Sequence, residues 1–425
     1  MKVAVLGLWH LGCVTAACVA QHFEVTGLDF DAANVARLQS GHAPLAEPGL
    51  DALIVAGLAS GQLRFTDEIE VACADADILW VTYDTPVNEN DQADIESVLR
   101  EVRRCVPALP PGALVLLSSQ LPVGTCKRLE NEFGATGYRF ACSPENLQLG
   151  QALDVFSQAD RVIVGCRDER AQTQLAELFA PFTHEVIWMR PESAEMTKHA
   201  INSFLAVSIT FMNEVARLCE ATGADAKEVE RGLKSESRIG PKAYLSPGGA
   251  FAGGTLARDV VTLSTLGQQL GEPLEVLPAI KRSNDRHRQW AAQKLSKLFA
   301  GETGRRVALL GLTYKPGTST LRRSSAVELA RSLAAAGFEV HACDPSQPPL
   351  PADLDFINFK PDAAAAVAGV DAVVVCTEWP EFRSLDWSVL LPRLRRPLVL
   401  DAARFLAKSL AGQPGLQYVT VGSPA

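Results

Sequence analysis

Three features are scarce or absent in this sequence, and each absence excludes a class of protein. No cluster of lysine and arginine occurs, and the formal net charge of the 425 residues is −9, which does not suit a nucleic-acid-binding protein. No uninterrupted apolar stretch reaches the roughly 18 residues needed to cross a bilayer. The ten cysteines lack CxxC or Cys/His ligand spacing, which argues against a disulfide framework and a zinc site. We therefore expect a cytoplasmic protein that binds no nucleic acid, membrane or metal.

The composition is that of a folded chain with several domains. Hydrophobic residues make up 47% and charged residues 21%, as in soluble globular proteins. A chain of 425 residues is longer than one hydrophobic core usually accommodates, so we expect more than one domain.

The apolar N-terminus superficially resembles a signal peptide. Trp9 and His10 interrupt it, so a strand entering a turn is the better interpretation.

The start of the chain carries the pattern of a βαβ unit. Residues 2–6 predict a strand, 7–12 a glycine turn, 13–21 a helix and 24–28 a second strand that ends at Asp29. Further strand-like runs lie at residues 78–82, 114–118 and 161–165, with helical patterns such as 95–103 between them. This alternation predicts a parallel, doubly wound sheet.

The middle of the chain has a helical pattern instead. Between residue 193 and Gly223 there is no proline or glycine, and apolar residues recur at helical spacing from Met196 to Met212. Helical stretches follow at 259–269 and 278–298. We expect an all-helical region of the kind that often pairs subunits.

The order of the N-terminal elements returns at Arg306. The predicted elements are strands at 307–310, 339–343, 372–376 and 397–400, a turn at 311–316 and a helix at 325–335. The sequence thus predicts an α/β fold with two Rossmann-like, doubly wound parallel-sheet domains joined by a long-helix, all-α central domain. The expected domains are residues 1–191, 192–303 and 304–425.

The turn after the first strand, Gly7-Leu8-Trp9-His10-Leu11-Gly12, occupies the place of a GxGxxG dinucleotide fingerprint. Trp9 replaces the middle glycine, which normally lets the backbone approach a pyrophosphate, so the indole must point away or occlude that site. Asp29 would accept ribose hydroxyls and repel a 2′-phosphate, which favours NAD over NADP. The alternative is purely structural, since αβ turns pack well with glycine and exposed loops tolerate aspartate.

A set of short motifs occurs in a fixed order over nearly the whole chain. They are Glu47-Pro48-Gly49-Leu50, Thr85-Pro86, Leu121-Pro122-Val123-Gly124-Thr125, Ser143-Pro144-Glu145-Asn146-Leu147, Asp160-Arg161, Ala194-Glu195-Met196-Thr197-Lys198, Asn202, Arg238-Ile239-Gly240-Pro241 and Gly311-Leu312-Thr313-Tyr314-Lys315-Pro316. Together they resemble the UDP-glucose/GDP-mannose dehydrogenase family. The resemblance implies an NAD-binding domain, a helical dimerisation core and a C-terminal domain that completes a nucleotide-sugar site. It also implies oxidation of a sugar C6 alcohol with NAD, with a UDP-hexose as the default substrate, by a homodimer.

The resemblance assigns catalytic roles to particular residues. Lys198 and Asn202, four apart on the predicted long helix, would face an alkoxide together, although the helix pattern alone also fits a solvated polar stripe. Glu145 resembles the general base that hydrolyses the covalent intermediate, or it could stabilise a helix N-terminus. Asp259 resembles the acidic partner that orders lysine and water, and Arg258 stands where the family has lysine.

Binding residues are implied in the same way. The cofactor-binding candidates are Gly7, Leu11, Gly12, Asp29, Thr85 and Pro86. The substrate-binding candidates are Glu145, Leu147, Lys198, Asn202, Arg238, Phe251, Gly253, Lys315 and Arg322. Arg238 resembles an arginine that crosses the dimer interface, against the default of a surface arginine. Lys315 and Arg322 are candidates for diphosphate contacts, against structural salt bridges.

The loop Ala252-Gly253-Gly254-Thr255-Leu256-Ala257-Arg258-Asp259 departs from the family pattern. When it is aligned through Arg258 and Asp259, the nucleophilic cysteine of the family falls on Thr255. A hydroxyl is far harder to ionise than a thiol, and its ester is a poorer intermediate than a thioester. Gln120 stands in place of a catalytic threonine, Gln148 and Leu149 replace an Arg-Glu pair, and residues 238–255 are one residue longer than usual. Cys142 lies near Glu145 in the chain, but such a thiol is more often buried packing.

Three functions follow from these residues. The first is an NAD-dependent oxidation of a nucleotide sugar without the thioester step, with a slower four-electron variant through an aldehyde hydrate and Glu145. The second is a redox-neutral rearrangement or epimerisation, in which the hydride returns to the sugar. The third is a non-catalytic nucleotide-sugar-binding homologue, which the combination of Trp9 and Thr255 suggests.

Overall fold

The structure is a computed structural model that describes residues 1–86, 88, 93–133, 136–145, 147 and 149–424. The contacts divide the chain into two compact units, Met1–Ile201 and Asn202–Ala425. Asn146 and Gln148, which the sequence analysis singled out, lie outside the described residues.

Strands and helices alternate through the first unit. In chain order they are β1 (Lys2–Leu6), α1 (His10–Val19), β2 (Glu24–Leu28), α2 (Ala32–Gln39), α3 (Leu50–Ser60), β3 (Leu63–Thr66), α4 (Ile69–Cys73), β4 (Ile78–Val81), α5 (Ile95–Cys105), β5 (Leu114–Leu117), α6 (Thr125–Phe133), β6 (Arg139–Cys142), α7 (Ala152–Ser157), β7 (Val162–Cys166), α8 (Glu169–Phe179), β8 (Val186–Met189) and the first part of α9 (Pro191–Thr222). Among the described residues these strands form one sheet in the order β3-β2-β1-β4-β5-β6-β7-β8. Neighbouring strands run parallel except β6 and β7, which are antiparallel.

Strand β1 shows why this sheet is covered on both faces. Val3 and Val5 belong to one hydrophobic core, and Ala4 and Leu6 belong to a second one. Successive side chains of a strand point to opposite faces, so an unbroken apolar strand needs packing on both sides. The chain order reverses between β1 and β4, which is where open α/β sheets bind ligands at the carboxyl ends of their strands.

The second unit combines helices with a smaller sheet. After α9 come α10 (Ala226–Ser235), α11 (Thr255–Leu270), α12 (Val276–Arg288), α13 (Trp290–Leu298), β9 (Arg306–Leu310), α14 (Ser325–Ala335), β10 (Glu339–Cys343), β11 (Ile357–Phe359), α15 (Ala363–Val367), β12 (Ala372–Val375), α16 (Trp387–Leu390), β13 (Leu398–Asp401) and β14 (Gln417–Val419). Within the described part of the chain the strands pair in parallel in the order β11-β10-β9-β12-β13-β14.

The predicted fold class is confirmed, with two mainly parallel sheets and a helical middle, although the strand expected at 161–165 runs antiparallel to β6. The predicted long helix from residue 193 is confirmed as α9, but the helix expected at 278–298 is two helices that meet at Gln289. The three-domain division at residues 191 and 303 stays a prediction. No helix in the described ranges is both long and apolar enough to cross a membrane.

Candidate active site

The turn between β1 and α1 packs too closely for any larger residue at its last glycine. A Cβ on Gly12 would lie 1.8 Å from the carbonyl oxygen of Gly7, which is an impossible contact. Trp9 precedes α1 in an extended conformation, with φ −91° and ψ −151°, and is 50% exposed. The indole therefore points outward from the core.

The carboxylate of Asp29 is fixed against this turn. It accepts hydrogen bonds from the backbone N–H of Leu8 at 2.7 Å and of Asp31 at 3.0 Å. Asn34, which the sequence analysis missed, donates to the Leu8 carbonyl oxygen at 2.8 Å. Because Asp29 is only half-buried, its remaining lone pairs can accept ribose hydroxyls, and this arrangement fits a dinucleotide.

Two other cofactor-binding candidates lie at the end of β4. The Thr85 hydroxyl is buried and donates to the Gln120 carbonyl oxygen at 2.8 Å, which links the segments that follow β4 and β5. Pro86 is exposed. The bond made by Thr85 therefore places Gln120, one of the departures from the family pattern, at the carboxyl edge of the sheet.

A cavity of about 380 Å³ brings cofactor and catalytic candidates of the first unit together. Leu11, Ser143, Glu145 and Leu147 line it. Glu145 accepts a hydrogen bond from the Leu147 N–H at 2.6 Å, so its carboxylate is anchored to its own loop. A buried hydroxyl, that of Thr15, also lines this cavity and has no hydrogen-bond partner among the residues that the structure describes.

Glu47 connects the dinucleotide turn to the loop that follows Glu145. Its carboxylate bonds with His10 Nε2 at 2.8 Å and accepts from the N–H groups of Gly150 and Ala152, both at 2.9 Å. Burial acts to raise the pKa of Glu47, but these hydrogen bonds outweigh it and hold the pKa below its usual value. The family motif Glu47-Pro48 thus has a clear structural role.

Lys198 lines a narrow cavity of about 20 Å³ with Gln120, Cys142, Glu195 and His199. Lys198 is only 9% exposed, so it is not part of a solvated stripe. The Cys142 thiol donates to the Pro191 carbonyl oxygen at 3.4 Å, as expected for buried packing. A buried ammonium group beside a cavity is suited to polarising a bound oxygen.

One cluster could hold a metal ion by its atom types, and sequence spacing did not reveal it. Ligand atoms of Cys126, Cys142 and Glu195 lie within 4.8 Å of one another. The two Glu195 oxygens already accept from the N–H groups of Gly124 at 2.5 Å and Cys126 at 2.9 Å. Hydrogen bonding with Cys142 and burial raise the pKa of the Cys126 thiol, which disfavours the thiolate form that a metal ion needs.

In the second unit, Asn202 donates a hydrogen bond to the carboxylate of Asp259. Asn202 is 5% exposed and Asp259 is fully buried, so the structure brings two catalytic candidates together in the interior. Asp259 lies one turn into α11, and Thr255 is the exposed first residue of that helix. The helix therefore carries both the buried acid and the hydroxyl.

The remaining substrate-binding candidates differ in their surroundings. The Arg238 side chain is 86% exposed and pairs with Glu236 at 3.1 Å. Lys315 is half-buried, and its carbonyl oxygen accepts from Thr318 at 3.2 Å, whereas Arg322 is exposed. Its neighbour Arg323 lies beside the glycine loop, because a Cβ on Gly254 would be 3.4 Å from its guanidinium. The motif did not single out Arg323.

A second cavity of about 380 Å³ lies wholly within the second unit. Residues of the glycine loop and of the last sheet line it, among them Gly249, Ala252, Thr313, Tyr314 and Glu378. Phe251 and Gly253, which were predicted to bind substrate, are in the same half-buried loop. Burial raises the pKa of Glu378. Chain neighbours of Phe251, Gly253 and Lys315 thus line this cavity, but these three predicted residues do not line it themselves.

Comparison with known proteins covers the whole chain. The family models for UDP-glucose/GDP-mannose dehydrogenases match in three parts: the NAD binding domain at residues 1–183, the central domain at 192–286 and the UDP binding domain at 308–408. UDP-glucose 6-dehydrogenase of Pseudomonas aeruginosa is 35% identical over 444 residues, covering 100% of this chain and 98% of that protein. The corresponding protein of Rhizobium meliloti is 31% identical, with 100% of both chains covered.

Solved structures agree. A UDP-glucose dehydrogenase from Pyrobaculum islandicum superposes with a TM-score of 0.86 at 30% identity, covering 99% of this chain and 98% of that one. A UDP-D-ManNAc dehydrogenase from Pyrococcus horikoshii gives 0.85 at 26% identity, with 99% of each chain covered. The chain therefore belongs to the UDP-glucose/GDP-mannose dehydrogenase family and is an NAD-dependent oxidoreductase that acts on the CH–OH group of a nucleotide sugar.

Proposed function

We propose that the protein oxidises the C6 alcohol of a nucleoside-diphosphate hexose, a UDP-hexose by analogy with its relatives, without a covalent thioester step. The observation that carries this proposal is Thr255 at the start of α11, four residues before the buried Asp259. The sequence contains no cysteine between Cys219 and Cys343, so the glycine loop itself offers no thiol. A threonine hydroxyl is a poor substitute for a thiolate at neutral pH.

The proposed roles follow from the chemistry of each group. Lys198 and Asn202 stabilise the developing alkoxide, one by charge and the other by hydrogen bonding. Asp259 holds the Asn202 amide through their hydrogen bond, and Glu145 acts as the base for any water attack. NAD supplies the hydride acceptor when it is bound. Removal of a hydride from C6 and a proton from its hydroxyl leaves an aldehyde, so one cofactor is reduced per sugar.

We propose that the remaining site residues bind the cofactor and the substrate. For the cofactor they are Gly7, Leu11, Gly12, Asp29, Thr85 and Pro86, and for the substrate they are Leu147, Arg238, Phe251, Gly253, Lys315 and Arg322. The outward indole of Trp9 and the fixed Asp29 support NAD binding. Free thiols at all ten cysteines support a reducing compartment, and we retain the cytoplasm as the predicted location.

Product analysis tests the proposal. The purified protein is incubated with NAD and a panel of UDP-, GDP- and deoxynucleotide-sugars, and NADH yield and product mass are measured together. One NADH per sugar with an aldehyde product supports the proposal. Two NADH per sugar with a uronate product contradicts it and favours the slower four-electron variant.

The same experiment separates the other two functions. An isomerised sugar without net NADH identifies redox-neutral chemistry, and binding without turnover of any sugar identifies a non-catalytic homologue. Thr255→Cys should raise the yield from one NADH toward two, because a thiol can form the missing thiohemiacetal. Thr255→Ser is the matched control and should leave the yield at one.

We also propose that the protein is a homodimer, with a second copy covering one face of α9. Phe204, Phe211 and Leu218 recur every seven residues and are 70%, 49% and 66% exposed. Large apolar residues at this spacing lie on one face of a helix and favour helix pairing. Phe211→Glu should shift the mass measured by analytical ultracentrifugation from dimer to monomer, whereas a monomeric wild-type protein would contradict the proposal.

A further inference from the structure

The main chain that leads into the glycine loop is held by side chains and not by a helix or strand. Residues 248–251 lie between α10 and α11. Asn213 Oδ1 accepts from the Gly248 N–H at 3.0 Å, and its Nδ2 donates to the Gly249 carbonyl oxygen at 3.2 Å. The side-chain amide of Asn213 thus supplies the acceptor and the donor that a neighbouring main chain would supply in a helix or strand.

A second asparagine repeats this arrangement at the other end of the segment. Asn284 Oδ1 accepts from the Phe251 N–H at 3.0 Å, and its Nδ2 donates to the Phe251 carbonyl oxygen at 2.9 Å. Asn213 and Asn284 are 1% and 2% exposed. Loss of the Asn213 amide would remove the partner of the buried Gly248 N–H, and loss of the Asn284 amide would remove the partner of the half-buried Phe251 N–H. The Phe251 carbonyl oxygen also accepts from Arg288 at 3.4 Å. An N–H that loses its partner away from water is costly.

A buried histidine completes the set. His287 Nε2 lies 2.8 Å from the Gly248 carbonyl oxygen, and Nδ1 lies 3.2 Å from the guanidinium of Arg217. Since Arg217 can only donate, Nδ1 accepts and the ring proton must be on Nε2, where it donates to Gly248. Burial, together with the charge of Arg217, lowers the pKa of His287 and keeps it neutral.

We infer that Asn213, Asn284 and His287 are positioning residues, which fix residues 248–251 and thereby the placement of Gly253 and Thr255. We call the three side chains the loop clamp. The inference rests on the proposed function of the Gly253–Thr255 segment, since the clamp residues touch only the backbone before it. Misplacement of a reacting group by about 1 Å costs about 100-fold in rate, so a small shift of this loop should be visible in kcat.

Isosteric variants test the clamp. Asn284→Asp and Asn213→Asp keep the shape and the acceptor but remove the donor to a backbone carbonyl. We expect kcat to fall by about 10- to 100-fold, while the KM for NAD changes by less than about twofold. His287→Gln keeps a neutral donor and should retain activity, whereas His287→Leu should behave like the aspartate variants.

Ser283→Ala is the matched control. Ser283 is on α12 beside Asn284 and donates to Glu214 of α9, so this variant removes a bond between the same two helices without touching the loop. Its kcat should equal that of the wild type. If Asn284→Asp and Ser283→Ala lose stability equally and both keep full kcat, the clamp is only structural and the inference is wrong.

Hydrogen–deuterium exchange of the peptide 245–254 distinguishes failure of the clamp from failure of the proposed function. Faster exchange in Asn284→Asp, but not in Ser283→Ala, supports the clamp even where the wild type shows no turnover of any sugar. Unchanged exchange in both variants overturns it. An inactive wild-type protein contradicts the proposed function and leaves the exchange result to decide the clamp.

Discussion

The two sheets of the molecule begin with the same kind of turn, but the aspartates that follow the turns are buried to different extents. In each, an aspartate after the second strand accepts a hydrogen bond from a backbone N–H of the turn. Asp29 accepts from Leu8, and Asp344 accepts from Leu312, both at 2.7 Å. The two turns therefore share one local pattern, in which a strand is followed by a glycine turn and the next strand by an acidic residue.

The surroundings of the two aspartates differ. Asp29 is half-buried, whereas Asp344 is 1% exposed. Asp344 also accepts from the hydroxyl of Thr313 at 2.9 Å, from Ser346 at 2.7 Å and from the indole of Trp379 at 3.2 Å. The second carboxylate is saturated by its own protein, so it acts as a structural anchor and not as a ribose acceptor.

The helices that follow the turns differ as well. Helix α1 begins at His10, within the first turn, whereas α14 begins only at Ser325, well beyond Gly311. A helix N-terminus at the turn provides the N–H groups and dipole that bind a pyrophosphate. A repeated strand-turn-strand pattern therefore predicts a repeated fold but not a repeated cofactor site.

The largest effects are expected when one glycine of each turn is replaced by alanine. Gly12→Ala places a Cβ against the Gly7 carbonyl, and we expect NAD affinity to fall by more than about 100-fold. Gly311→Ala forces a Cβ within 2.4 Å of Thr377 and should lower the free energy of unfolding by about 3 kcal/mol, with a folded fraction that still binds NAD. Calorimetric titration and urea unfolding measure the two effects. Equal loss of NAD affinity in both variants would contradict the assignment.

Asparagine at the two aspartates should sharpen the distinction. Asp344→Asn removes a buried acceptor that holds several donors, and we expect a loss of about 2–3 kcal/mol in unfolding free energy. Asp29→Asn should change the free energy of unfolding little but weaken NAD binding by about tenfold. The side-chain NH₂ that replaces one carboxylate oxygen is a donor and cannot accept a hydrogen bond from a ribose hydroxyl. The reverse pattern in denaturation and binding experiments would show that the second turn is the cofactor site.

The pH dependence of stability should report Asp344 in particular. Burial opposes ionisation, but hydrogen bonds from Ser346, Thr313 and Leu312 hold the pKa of Asp344 below its usual value. A depressed folded-state pKa contributes stability above the unfolded value of about 3.9, and this contribution is lost as pH falls through the folded pKa. Urea unfolding between pH 3 and 7 should therefore show a smaller acid-induced loss in Asp344→Asn than in wild type. Identical pH profiles for the two proteins would refute the expectation.

The smallest effect is expected at Trp9. Because its indole is half-exposed and its backbone is extended, Trp9→Gly should change the KM for NAD by no more than about threefold. Steady-state kinetics with varied NAD measure this. An improvement above about tenfold would show that the indole occludes the cofactor after all.

Predictions from the sequence succeeded where the information is local. Patterns within about thirty residues predict three features of the fold. These are the alternation of strands and helices, the glycine turns, and helix α9, whose segment contains no glycine and no proline after its first residue. The prediction of one helix at 278–298 was wrong because nothing in its periodicity marks Gln289, which separates the end of α12 from the start of α13. The candidate site was predictable only as a set of family motifs, and the roles of its members remain predictions.

The fold class, the order of elements and the family could be predicted from the amino-acid sequence, because hydrophobic periodicity and motif order are properties of the linear chain. The packing of distant elements instead determines which polar groups come together: Asn202 with Asp259, Glu47 with the turn and the loop, and the loop clamp with residues 248–251. Such pairs join residues tens of positions apart. Burial and hydrogen bonding depend on how the elements pack, and that packing has no local signature.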